Sequence, residues 1–412
     1  MRELYFNEKD LSSRVEEWER MSWQLIEAES LNFKRWMAEH IMEEKFREVI
    51  GAGWYERTGE RKAYRDGHYS RDIQLKSGRL RIKIPRAEKM SWVNPLIKKF
   101  QRNSAEFEEM VYKGFLYGMS CRGSKKYLYG VFREHVISEQ GVSNIFKKFS
   151  DKVKDWHKRP ITEKYKYIYW DGKYVPIRGS MKKKKVVLKV MGVKLDGRYE
   201  TIDFRIARSE SYLAWGELTQ SLYNRGLDCN GTELFTHDGA DGLIEALTMT
   251  WPDVARQQCK VHHLRNLAKR VRKINRRRIL RETSRIYKAN SLEHAEARAV
   301  RFEVKWKEKE PEGVRIFMKG LEPTLTFYKY GWNKEYTKEE RQQLWDTISN
   351  TNILERQIEE DVRRIKPMRS FRNDDSCDRV FYAIAEEFNK NPWRMPVLTK
   401  KSQNQKSAKI LT

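Results

Sequence analysis

Two aspartates each stand directly behind a short apolar run. In "KYIYWDGKYVPIRG", residues 166–179, Asp171 follows Tyr167, Ile168, Tyr169 and Trp170, whose aromatic and β-branched side chains predict a buried strand with the acid at its end. In "GTELFTHDGADGLIEAL", Leu234 and Phe235 predict a second strand that ends at Asp238. A lone acid before glycine reads first as a turn residue, because Asp-Gly is among the strongest turn signals. Two acids brought to one place read differently. Carboxylates side by side repel unless a hard cation neutralises them, and Mg²⁺ takes oxygen ligands at about 2.0–2.1 Å. Asp171 and Asp238 are therefore candidate metal ligands, with Mn²⁺ as the alternative ion. A third acid would let two ions sit about 3.5–4 Å apart, one activating a hydroxyl nucleophile and the other stabilising the leaving oxygen of a phosphodiester. Candidates lie in "SNTNILERQIEEDVRRIK", where Leu354, Ile358, Val362 and Ile365 form an apolar stripe that predicts a helix, with Thr351 or Asn352 to cap it. Composition does not choose among Glu355, Glu359 and Glu360.

The elements around these acids must place them. "KKVVLKVMGVKLDGRYETIDFRIAR", residues 184–208, predicts two strands about an Asp196-Gly197 turn, followed by an amphipathic helix over 211–227. Ala240 to Met249 predicts the helix after Asp238. Three antiparallel strands, a helix and a further strand are the opening order of an RNase H-like α/β fold. That order sets the first and fourth strands side by side and brings Asp171 and Asp238 to one end of the sheet. Upstream, apolar residues at helical spacing (Val15, Trp18, Leu25, then Phe33, Trp36, Met37, Ile41) predict one or two amphipathic helices over 11–48, a candidate interaction surface. Residues 71–86 predict a β-hairpin with Arg79, Arg81 and Lys83 on its polar face. Residues 111–156 predict helix, turn, helix, with Val142, Ile145, Phe146, Phe149, Val153 and Trp156 on one face and Lys147, Lys148, Lys152 and Lys154 elsewhere. Such a pair suits a major groove or a plain helical hairpin, and the basic context favours DNA.

Charge narrows the partner. The 412 residues carry 84 Lys and Arg against 58 Asp and Glu, a net charge of +26, which calls for a polyanion. At 39% hydrophobic the chain has enough for real cores. No apolar run approaches the roughly 18 residues a membrane span needs, and "MRELYFNEKD" is too acidic for a signal peptide. Nucleic acid is then the expected partner and the cytoplasm the expected location. Four scattered cysteines without a C-x-x-C pair fit a reducing compartment. A carbohydrate hydrolase working through two carboxylates would leave the charge unexplained. The charge is also focused: residues 263–288, "HLRNLAKRVRKINRRRILRETSRIYK", hold eleven Lys and Arg and one Glu, with Arg276, Arg277 and Arg278 as candidate phosphate contacts.

Cys259-x-x-His262 has the spacing of half a zinc site. No second half accompanies it, although His263 is adjacent, and a structural zinc takes four ligands. The expected role is structural and metal-free.

Taken in order, "WDGKYVPIR", "RSESYLAWGELTQSLYNRGL", "HDGADGL", "WPDVARQQCKVHHLRN" and "TNILERQ" resemble the Mutator-type family of insertion-sequence transposases, as does "YRDGHYSRDIQLKSGRLRIKIPR" near the N-terminus. The resemblance runs nearly end to end. It implies an RNase H-like catalytic domain with Asp171, Asp238 and Glu355 as an acidic triad acting on DNA with Mg²⁺, and it places Phe371 where the family has a Phe. It also implies that the 117 positions from Asp238 to Glu355, too many for a plain RNase H-like core, hold a helical insertion. Cys259 and His262 become a hydrogen-bonded packing element beside the catalytic domain, followed by Arg265 and Asn266 toward DNA. The expected organisation is an N-terminal helical region (1–60), a DNA-binding hairpin and helix-turn-helix (61–160), the core (161–262 and 342–392) around the insertion (263–341), and a basic tail (393–412). The expected partners are double-stranded DNA, as terminal inverted repeats and target, and at least one further copy of the chain to pair two ends. A domesticated, non-cutting DNA-binding protein is the alternative. Three places in the sequence depart from the family or carry no role from it. "RQIEEDVRR" puts Glu359, Glu360 and Asp361 where relatives have basic residues, which argues against DNA contact there. His237 reads as a local hydrogen-bonding group, and Asp241, close after Asp238, as a helix cap instead of a further ligand.

Overall fold

The computed structural model describes residues 23–116, 119–177, 184–332, 336–366, 371 and 373–399. Val15, Trp18 and the tail from residue 400 lie outside them. Two compact units divide at Phe146/Lys147.

In the first unit, α1 (Trp23–Ile50) packs beside the hairpin β1 (Arg65–Leu75) and β2 (Gly78–Ala87), and α2 (Ala105–Leu116) and α3 (Cys121–Phe132) follow. Alternation puts Ile73, Leu80, Ile82 and Ile84 inside and leaves Arg79, Arg81 and Lys83 exposed, as expected of a two-residue hairpin closed by Leu75 opposite Gly78. The apolar face of α1 differs from the predicted one. Met42, Phe46 and Ile50 are fully buried against the hairpin side, whereas Leu25, Phe33, Trp36, Met37 and Ile41 stay exposed. An apolar stripe names a face, and here two stripes compete; the one that packs carries Met42, Phe46 and Ile50, with Leu31 seated on Gly78 beside it. Over 111–156, where the sequence predicts helix, turn, helix, the chain forms the end of α2, all of α3 and most of α4 (Glu139–Lys158). Val142, Ile145 and Phe146 of α4 are buried in the first unit and Val153 in the second, with Lys147 and Lys148 exposed.

The second unit is built on a five-stranded mixed sheet in the order β5-β4-β3-β6-β7. Its strands are β3 (Tyr165–Pro176), β4 (Lys184–Lys194), β5 (Tyr199–Ala207), β6 (Leu234–His237) and β7 (Ala255–Gln258). β3, β4 and β5 are antiparallel, while β3–β6 and β6–β7 are parallel. Gly197, at φ +84°, makes the β4–β5 turn that Asp196-Gly197 predicts. One sheet face carries Ile168, Trp170, Val190 and Phe235 and is covered by α5 (Tyr212–Asn224) and α6 (Asp241–Thr250). Alternation turns Tyr167, Tyr169, Met191 and Leu234 to the other face. There they pack with α12 (Asn352–Ile365) and a helical layer of α7 (Lys260–Arg270), α8 (Lys273–Ile286), α9 (Leu292–Trp306), α10 (Pro311–Lys319) and α11 (Lys338–Ile348). α13 (Asp374–Lys390) lies along β5, and Phe371 is buried against Phe381 with its N–H donating to the Pro176 carbonyl. No helix among the described residues is long and apolar enough to cross a membrane.

Candidate active site

Asp171 is not at a turn. β3 runs through it to Pro176, and what ends there is the pairing with β6, whose last residue, His237, lies beside Trp170. Beyond that point β3 pairs with β4 alone until Phe371 bridges its far end at Pro176 and Ile177, which leaves a notch beside Asp171. Asp171 and Asp238 are the next residues on the two parallel strands, and both follow side chains of the α5–α6 face, so both turn toward α12. Asp171 is 7% exposed, and its Oδ1 accepts from the Gly172 N–H at 2.8 Å. Asp238 Oδ1 accepts from the Ala240 N–H at 3.0 Å. Burial, then the charge of Asp238, pushes the Asp171 carboxyl up to about 7, against the pull of the Gly172 N–H.

Glu355 sits in the first turn of α12, and its charge also bears on Asp171. The helix directs its other acids elsewhere: Glu359 is exposed, Glu360 pairs with Arg363, and Asp361 is buried against Lys189. Asp361 is thus a core residue. Thr351 holds the N-cap position without capping through its side chain; the Asn350 side chain accepts from the Asn352 N–H instead.

Cys259 and His262 lie nearer Glu355 than the sequence indicates. Donor atoms of Cys259, His262 and Glu355 lie within 4.8 Å of one another. Cys259 is fully buried at the start of α7, and its Sγ accepts from the Thr351 N–H at 3.4 Å. The Thr351 hydroxyl lies 3.4 Å from that sulfur and 3.3 Å from Glu355 Oε1. Burial opposes the Cys259 thiolate, but His262 and Thr351 outweigh it and bring the thiol below its usual range. His262 is raised by Cys259 first, against burial, and then by Glu355 and Asp171. Its Nε2 stands 3.7 Å from Glu355 Oε1. Three donors remain one short of a structural zinc's four, and Arg265, one turn along α7, already grips both Glu355 oxygens at 3.2 Å. His263 turns into the core toward the Phe317 carbonyl.

Two neighbours need comment. His237 is buried, accepts from the Gly239 N–H through Nδ1, and is pushed down to about 4 by burial and Arg256, so it is a local neutral hydrogen-bonding group. Asp241 is not the cap of α6; Ala240 occupies that position, and Asp241 follows it, exposed, in the first turn. Sequence reasoning missed Glu210 altogether. A Cβ on Gly172 would come within 2.6 Å of Glu210 Oε1, so the glycine after Asp171 makes room for a further carboxylate. Burial and Asp238 push Glu210 up. A glycine in the middle of an aromatic-rich strand was the available signal.

The basic run 263–288 is two helices, broken at Val271, and is partly committed within the fold. Arg270 pairs with Glu312, Arg272 with the buried Glu310, and Arg278 with Glu282. Arg276 is half-buried, while Arg277 is exposed.

Residues 8–395 match the family described as "Transposase, Mutator family". The transposase for insertion sequence element IS1201 of Lactobacillus helveticus is 30% identical over 340 residues, 82% of this chain and 88% of that protein. The transposase for insertion sequence element ISRM5 of Rhizobium meliloti (strain 1021) is 29% identical over 361 residues, 87% of each chain. Among solved structures, the Drosophila P element transposase strand transfer complex superposes with a TM-score of 0.28 at 10% identity, over 72% of this chain and 85% of that one.

Proposed function

Because the chain belongs to the Mutator family of transposases, we propose that it cuts DNA at the ends of an insertion sequence and joins the freed 3′ hydroxyls to target DNA through Asp171, Asp238 and Glu355. The parallel β3–β6 register carries this reading, since it puts Asp171 and Asp238 on adjacent strands facing the helix that bears Glu355. On this reading the five-stranded sheet is an RNase H-like core and α7 to α11 are its helical insertion; the strand order and the antiparallel β4 support that assignment.

The donors suit a hard cation. Asp171 is buried beside a second carboxylate and receives no hydrogen bond from a basic side chain among the described residues, and the nearby charge of His262 does not offset burial and Asp238, so a bound cation would stabilise its ionised form. Asp171, Asp238 and Glu355 would hold Mg²⁺ or Mn²⁺, which would supply the Lewis-acid chemistry of phosphodiester cleavage and transfer. The chain's own groups prepare the site. The Gly172 and Ala240 N–H groups orient the two aspartates. Thr351 and His262 hold Glu355, and Arg265 neutralises it in the free protein. Arg265, with half of its side chain exposed, is also open to a DNA phosphate. Exposed Lys147, Lys148 and Arg277 are further candidate phosphate contacts, and pairing two element ends requires at least a dimer.

Incubating the protein with a duplex that carries the terminal repeat, in Mg²⁺, tests the proposal. The wild-type protein cuts it, whereas Asp171→Asn, Asp238→Asn and Glu355→Gln bind it at wild-type affinity and leave it intact. Strong cutting by one of these variants removes that residue from the site. Binding without cutting by the wild-type protein favours a domesticated DNA-binding role.

A further inference from the structure

Lys189 and Asp361 form an ion pair, Nζ to Oδ2 at 2.5 Å, with side chains 2% and 0% exposed. Lys189 is the residue directly opposite Asp171 in the β3–β4 register, so the two share the sheet face that α12 covers. Asp361 lies six residues after Glu355 on α12, about 9 Å along the helix axis. One turn before Asp361, Gln357 is also buried and donates to Thr201 Oγ1 on β5 at 2.9 Å. α12 therefore meets two strands through polar groups set among its apolar stripe of Leu354, Ile358 and Ile365.

For stability alone this arrangement is poor. Asp361 Oδ1 and Gln357 Oε1 are buried without a hydrogen-bond partner. Burial pulls Lys189 down and Asp361 up, the directions expected when water is stripped from both charges. Apolar side chains of similar volume commonly replace such pairs at no loss of stability. What they cannot supply is direction. An apolar stripe tolerates rotation, and a one-residue slip turns every side chain on α12 by about 100°.

We propose that the Lys189–Asp361 pair sets the register of α12 on the sheet and so holds Glu355 facing Asp171 and Asp238. Both are positioning residues and neither touches DNA. The inference rests on Glu355 belonging to the acidic triad.

The test is the double variant Lys189→Met/Asp361→Leu, with Glu355→Gln beside it. Thermal unfolding of the double variant should be at or above the wild-type temperature. Its affinity for Mn²⁺, read from the free-ion electron paramagnetic resonance signal, should fall about tenfold, and cleavage of the element end should fall with it, as when groups that orient metal ligands are lost. Binding of the same duplex should not change. A double variant with wild-type Mn²⁺ affinity and cleavage overturns the proposal. So does one that fails to fold, because the pair is then needed for stability itself. If Glu355→Gln leaves both Mn²⁺ affinity and cleavage intact, the triad assignment is what fails, and this inference falls with it.

Discussion

Asp171 and Asp203 are both nearly buried aspartates on the same sheet, 7% and 2% exposed, and the fold treats them in opposite ways. Asp203, on β5, accepts from His157 Nδ1 at 2.7 Å, from the Arg225 guanidinium, and from the Phe204 N–H at 2.8 Å. His157 reaches on to Asp378 at 3.1 Å, which ties the end of α4 to β5 and α13. Asp171 receives one backbone N–H and faces further acids. A carboxylate buried for structure gathers cations from its own chain. Asp171 has no bonded cation among the described residues, only the nearby charge of His262, and on the proposed reading a ligand from outside would meet its charge.

The largest expected effect breaks the comparison at Asp171. Asp171→Asn should take cleavage to background while the protein stays folded. It should also raise the unfolding temperature above pH 7 and change it little near pH 4. The sign follows from the raised pKa: the cost of burying the charge is absent below the ordinary carboxylate range, grows with pH, and is complete above about 7. Equal effects at both pH values would mean that the residue is not strained by its charge.

Next is Asp203→Asn, which leaves His157 and Arg225 facing an amide. Denaturant unfolding at neutral pH should show a loss of about 3 kcal/mol, as expected when one partner of a buried pair is removed, with cleavage per folded molecule retained. A stable but inactive variant would erase the distinction between the two aspartates.

His157 sharpens it through pH. Burial opposes its charge, but the bonds to Asp203 and Asp378 prevail and push it up to about 9. Its contribution to stability is then complete below about 6.5 and lost as pH rises through 9. Wild-type unfolding temperature should decline across that window, and His157→Gln should flatten the decline. Parallel curves would sink the assignment.

The smallest effect repeats the contrast among the basic residues. Arg277 is exposed, whereas Arg278 is bonded to Glu282 and lies over Trp306. Arg277→Ala should reduce the slope of log K against log salt by about 0.9, the value of one phosphate contact. Arg278→Ala should leave it nearly unchanged, and equal slopes in the two variants would show that the ion pair does not hold Arg278 back from DNA.

Much of this was legible from residues close in sequence. Strand alternation, the Asp196-Gly197 turn and the stripe Leu354, Ile358, Ile365 are local patterns, and the βββαβ order they imply already set Asp171 beside Asp238. The stripe on α1 shows the limit, because periodicity proposes faces and only a partner surface selects one. The rest depended on packing between distant segments. Which acid of α12 faces the aspartates follows from how the helix rotates on the sheet, which Lys189–Asp361, 172 positions apart, helps to decide. The place of Cys259 beside Thr351, 92 positions away, and that of Glu210 beside Gly172 have the same origin. A chain's local pattern is written in neighbours and can be read from them, whereas the environment of a buried charge is the sum over every element that closes around it, and that sum exists only in the folded protein.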